Sequence, residues 1–173
     1  MKMDSFRCHG YVIVRTTFRR GEVVNDEALS SNYFTVEQDG SLQGSGFYHW
    51  FLASGHHTHE NLETGAVADQ HRGWNTKDFP LVAGEYKLEV RDPSVVWCLN
   101  TKANDSLPDF DFHHVKMDEG YVDHTFNDGD KIFLMDGGFM INGKEINGPQ
   151  QIRFVGTKQV TFHKDSMWIL VKG

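Results

Sequence analysis

The 173-residue chain is long enough for one domain to bury a sizeable core, and 39% hydrophobic with 13% aromatic residues argues against disorder. A formal net charge of −7 argues against binding a phosphate backbone. No run approaches the ~20 apolar residues of a membrane span, and two cysteines, Cys8 and Cys98, are too few for a disulfide framework or a thiolate zinc site.

The first ten residues, MKMDSFRCHG, lack an apolar h-region, so no signal peptide is expected and synthesis is assigned to the cytoplasm. Gly10–Phe18, GYVIVRTTF, is rich in β-branched residues and predicts a strand. Arg15, Arg19 and Arg20 around Phe18 read as charges that solvate that strand. Asn25–Ser31 is the one window with helical character, capped by Asn25. Tyr33–Ala53 predicts a hairpin or meander with Asp39-Gly40 at its turn. GEYKLEV (Gly84–Val90) alternates, with Tyr86, Leu88 and Val90 on one face. Asp92-Pro93 predicts a turn, SVVWCLN a buried strand in which Cys98 is an inert thiol, and TKANDSLPD a loop. Farther on, KIFLMD, QIRFV, KQVTF and SMWILV predict strands, and Asn142-Gly143 within FMINGKEI predicts a type I′ hairpin.

Many short strands with close turn signals predict an all-β sandwich or barrel. A change of texture near Phe79 divides the chain into an N-terminal β extension, residues 1–78, and a barrel, residues 79–173, expected to form one compact domain together.

The C-terminal turns carry a recognisable frame. Gly120, His124, Phe126, Asp130 and Gly137 follow one another with one, three and six residues between the last four, and the lead-in from Gly120 is two residues short. After the hairpin come Gly148, Phe154, Gly156, Gln159 and His163. In this frame Gly120–Val171 resembles the conserved barrel of the cupin superfamily, and the resemblance extends back toward Gly84. It implies a double-stranded β-helix, or jelly roll. It also implies that a metal, where a cupin holds one, would be met by His124, Phe126, Asp130 and Gln159. Phenylalanine cannot ligate a metal and glutamine is a weak ligand, so no cofactor is expected. His124, Phe126, Asp130, Phe154 and Gln159 are expected to line a barrel pocket, with His124 hydrogen-bonded to Asp130 or to a backbone carbonyl.

Ser54–His71, SGHHTHENLETGAVADQH, holds four of the ten histidines. In an extended conformation His57 and His59 point one way and His56, Thr58 and Glu60 the other. Its polar composition predicts a solvated loop; a metal site or a pH-responsive interface is the alternative. His113 and His114 are adjacent in a strand, so only one of them can face the barrel.

Three functions follow. The expected one is a non-catalytic cupin-like module that acts through protein–protein assembly, as a homo-oligomer or with other chains, in a setting such as a virus particle. The first alternative is a metal-dependent cupin enzyme of the oxygenase, isomerase or hydrolase type, with zinc, iron or manganese on rearranged ligands drawn from His57, His59, His71, His113 and His124. The second is a metal-free small-molecule cupin in which His124 and Asp130 form an oriented base, Tyr121 assists, and Arg153 converges on the pocket.

Overall fold

Antiparallel strands supply all the regular structure in the computed structural model, which describes residues 2–22, 32–43, 46–100, 109–116 and 120–172. The expected helix at Asn25–Ser31 lies outside these residues, as does the TKANDSLPD loop up to its final aspartate. The fold is all-β. It divides into two compact units, one formed by Met1–Phe6 with Tyr11–Ser106, the other by Arg7–Gly10 with Leu107–Gly173.

The division expected at Phe79 falls inside the first unit. There β6 (Gly84–Asn100) pairs with β2 (Tyr11–Phe18), β3 (Tyr33–Val36) and β4 (Phe47–Asn61), so the strands on either side of Phe79 share one ladder. The six-stranded sheet runs β1 (Lys2–Cys8), β2, β6, β4, β5 (Val67–Gln70), with β3 also on β6.

GEYKLEV and SVVWCLN, expected as two strands around a turn, form the single strand β6. Both halves find partners on β4, and the chain passes Asp92-Pro93 by slipping register opposite Ser54 and His56. These slips bend the sheet. Trp50 is opposite Cys98, and Phe34 is opposite Tyr86, twelve residues earlier on β6. A straight strand would hold those pairs ~40 Å apart. The rings of Phe34 and Trp50 lie 5.4 Å apart. The sheet therefore doubles back and closes its inner face over a core that includes Val14, Phe18, Phe34, Trp50 and Leu88.

The corner is made by Gly55, at φ +94°, where a Cβ would meet the Pro93 carbonyl oxygen and lie 2.6 Å from Ser94 Cα. Ser94 Oγ ties the corner together. It accepts from the His56 amide at 3.1 Å and donates to the Asp92 carbonyl at 2.8 Å.

The second unit is built from β7 (Asp109–Val115), β8 (Val122–Phe126), β9 (Lys131–Asp136), β10 (Gly138–Ile141), β11 (Lys144–Asn147), β12 (Gln150–Arg153), β13 (Lys158–Phe162) and β14 (Ser166–Lys172). Its first strand pairs with its last, its second with the next to last, and so on inward to the β10–β11 hairpin. Asn142 and Gly143 sit at that hairpin's tip with φ of +49° and +75°, as a type I′ turn requires. Rolled up, the nested ladder becomes two four-stranded sheets, β11-β10-β13-β8 and β12-β9-β14-β7, which is a double-sheet jelly roll. The jelly roll starts at Asp109 and does not reach back to Gly84, because GEYKLEV and SVVWCLN are built into the sheet of the first unit.

Gly55→Ala forces a side chain into the left-handed region and against the Pro93 carbonyl. Urea unfolding followed by tryptophan fluorescence is expected to show a loss of about 2–4 kcal/mol. Gly65→Ala, at φ +73° with nothing within 4 Å of its Cβ, is expected to lose only about 1–2 kcal/mol.

Candidate functional site

In the first unit, β4 sets His57 opposite Val90 and His59 opposite Leu88, with Gln70 and Ala68 of β5 on the other side. Side chains alternate along a strand, so both imidazoles share the inner face with Tyr86, Leu88 and Val90. The segment expected as a solvated loop is a central strand, and each of these two rings is 2% exposed. The physical reason is that β5 and β6 satisfy the backbone of β4 from both sides, which overrides the polar composition.

His59 is enclosed by aromatic rings. Phe34, Trp50 and Trp74 stand roughly perpendicular to it at centroid distances of 5.5, 5.5 and 5.0 Å, and His57 stacks on it at 4.8 Å. Neither ring nitrogen of His59 has a hydrogen-bond partner among the described residues. Burial holds the His59 pKa well below the ordinary 6.5, and His57 adds to the effect. His57 is pushed down to about 4, first by burial and then by His56 and His71. His57 Nε2 and Thr16 Oγ1 are buried, again without a hydrogen-bond partner among the described residues. Both residues line a cavity of about 10 Å³ walled by Phe18, Phe47, Trp50 and Leu88. That volume is room for about one water molecule between two polar groups.

His71 does not join this pair. It stacks on His56 at 4.4 Å, where His56 Nε2 meets Asp69 Oδ1 at 2.8 Å and its Nδ1 lies 3.8 Å from Asp92. His113 and His124 belong to the second unit, with ring centroids 6.5 Å apart. The alternative ligand set thus lies in three separate places. Among the described residues no three His, Cys, Asp or Glu groups gather as a metal site requires.

In the second unit, β8 turns Val122, His124 and Phe126 toward the core, opposite Phe162, Val160 and Lys158 of β13. Phe126 stacks on Phe154 at 4.3 Å, Phe162 on Trp168 at 4.7 Å, and His113 on Trp168 at 4.9 Å. His124 stands edge-on to Phe126 at 4.5 Å. Its pKa is lowered, mainly by burial and then by His113, with Asp130 acting in the opposite sense.

Of the five residues expected in a barrel pocket, His124, Phe126 and Phe154 come together. Asp130 does not bond His124; its Oδ2 accepts the Asn127 amide at 2.8 Å and closes the turn before β9. Gln159 is exposed, because it pairs with Thr125 on the outer face of β13. The four metal positions of the cupin frame therefore do not fit a metal. One is a stacked phenyl ring, one closes a turn, one faces solvent, and only the His124 imidazole remains inside. Tyr121 is 80% exposed and Arg153 is exposed, so neither converges on His124.

Two partners of the inner histidines stand out only in the structure. Thr16 has a faint sequence signal, the alternation Val14-Thr16-Phe18. Trp74 has none. It is placed by hydrogen bonds from the Leu52 amide to its carbonyl and from the Gly73 amide to the Leu52 carbonyl, both at 2.9 Å.

No family model and no curated protein matches the chain. Among solved structures, the E. coli protein YlbA matches with a TM-score of 0.52 at 8% identity, over 98% of this chain and 82% of that one. AerE from Microcystis aeruginosa matches with a TM-score of 0.45 at 10% identity, over 99% and 92% of the two chains. A cupin 2 conserved barrel domain protein from Leptotrichia buccalis gives 0.41 at 12% identity, over 99% and 89%. At 8% identity the likeness to YlbA shows the fold alone, an all-β one. Among the described residues no helix is long and apolar enough to cross a membrane.

Because the folded-state pKa of His57 lies below its unfolded value, the unfolded chain binds the extra proton. This contribution to stability is complete above about pH 6.5 and is lost as pH falls toward 4. The loss is about 3 kcal/mol. Urea unfolding at pH 7.5 and pH 4.5 is expected to show a steep acid-side decline, and His57→Leu is expected to reduce it, with the remainder left to His59.

Proposed function

We propose, with the cupin-type fold as the premise, that this chain is a non-catalytic β module that works through association with protein chains, copies of itself first. The observation that carries this reading is the filled jelly roll. Phe126, Phe139, Phe154, Phe162 and Trp168 form one buried aromatic cluster where a cupin enzyme would need open space and metal ligands. In this reading the barrel needs no metal or other cofactor, and His124 serves as a packing ring against Phe126 and Trp168. The surface is then what remains to carry function. Double-sheet jelly rolls serve in capsids as well as in enzymes, so a structural or accessory place in a larger particle, such as a virion, suits the module by analogy of fold.

Two measurements test this. Metal analysis of untagged protein, purified without nickel resin, is expected to give far less than one equivalent of iron, zinc or manganese, and native mass spectrometry an oligomer or a complex. Stoichiometric metal would overturn the reading. Phe126→Ala is expected to destabilise the protein by about 3–5 kcal/mol, as truncation in a packed core does. A change near zero would mean that Phe126 borders open space, and would return the small-molecule alternative.

A further inference from the structure

The first unit presents a row of side chains that is complementary to itself. In the half of the sheet that contains β3, the strands run β3-β6-β4-β5. Tyr33 is opposite Lys87, Lys87 is opposite Glu60, and Glu60 is opposite Val67. Residues in such register share one face, here the face that turns away from His57 and His59. Tyr33 is 50% exposed and Val67 56% exposed, and Leu62 beside them is 40% exposed. Read across the strands, the row is apolar, cation, anion, apolar. Lys87 and Glu60 are cross-strand neighbours, yet neither makes an ion pair within 4.0 Å among the described residues.

A twofold axis parallel to the strands, midway between β6 and β4, turns this row onto itself. It brings Lys87 of one copy against Glu60 of the other, twice, and Tyr33 against Val67, twice. Such an interface is isologous, the commonest kind in soluble oligomers. In the next row Glu89 is paired with Thr58, which is only 6% exposed, so the same axis sets no like charge against Glu89.

We propose that this face of the first unit is a dimer surface whose partner is a second copy of the chain, held by reciprocal Lys87–Glu60 pairs between flanking Tyr33–Val67 contacts. The proposal rests on the assembly reading above and names its partner. Three rows across four strands cover roughly 400 Å², about half of the ~800 Å² that each partner contributes to a standard interface. The dimer is therefore weak and salt-sensitive.

The test is sedimentation equilibrium of the full chain at roughly 10–300 µM, the range in which an interface below standard size is populated, at low and high salt. The wild type is expected to interconvert between monomer and dimer, with less dimer at high salt. Lys87→Glu and Glu60→Lys are each expected to raise Kd roughly ten-fold or more, because attraction becomes repulsion at both symmetric contacts. The double variant is expected to return toward the wild-type Kd, since the pairs re-form with signs exchanged. Tyr33→Lys, which leaves the charge pair untouched, is expected to weaken the dimer as well. A dimer indifferent to the single reversals, or not rescued by the double one, overturns this surface and leaves the assembly reading standing. A monomer at every concentration overturns the dimer and self-association with it, leaving association with other chains, whereas stoichiometric metal overturns the assembly reading as a whole.

Discussion

The register that sets His59 opposite Leu88 decides the chemistry of both faces of the first unit. Strand side chains alternate, so a slip of one residue would exchange every inner group for an outer one. His57 and His59 would enter water, and Glu60 and Thr58 would enter a core of phenyl and indole rings. The register is held where the inner row reads Phe34, Tyr86 and the buried Leu88 and Val90, because only that choice keeps the large apolar groups together. The same choice sends Lys87 and Glu60 outward as neighbours.

Holding that register means burying two imidazoles. A buried polar group without a hydrogen bond costs about 1–3 kcal/mol, and a buried charge costs far more. The histidines meet the second cost by staying neutral, as their depressed pKa values express. The first cost remains at His59, whose ring nitrogens find no hydrogen-bond partner among the described residues and whose ring packs among Phe34, Trp50 and Trp74. Both rings are thereby held uncharged at neutral pH by the burial that the register imposes.

The second unit resolves a different conflict. A barrel that binds substrate must keep space and exposed donors inside, and a barrel that is only a core must fill that space. Here the ring at Phe126 does both things at once: it occupies a position where the cupin frame would set a ligand, and it stacks on Phe154. Phe162 stacks on Trp168 in the same cluster. The missing ligand and the close packing are therefore one feature, since the same phenyl ring accounts for both.

Much of the second unit was legible in the sequence. Its strands, the Asn142-Gly143 turn and the jelly-roll frame all rest on local rules, namely alternation and the positive φ that particular turns need. Gln159 escaped the motif frame because a frame counts residues, whereas pairing with Thr125 decides which face they take. The first unit was less legible. Polar composition disguised β4, and Asp92-Pro93 looks like a turn because the bulge that absorbs it depends on Gly55 and Ser94, far away in sequence. The sequence by itself determined most strands and turns of the second unit and the absence of a metal ligand at position 126, since these depend on side-chain chemistry and neighbouring dihedrals. Only the tertiary structure decided that His57 and His59 are buried, that β6 is unbroken and that Lys87 lies beside Glu60. Those facts follow from pairing between distant strands, whose register is set by the packing of the whole core.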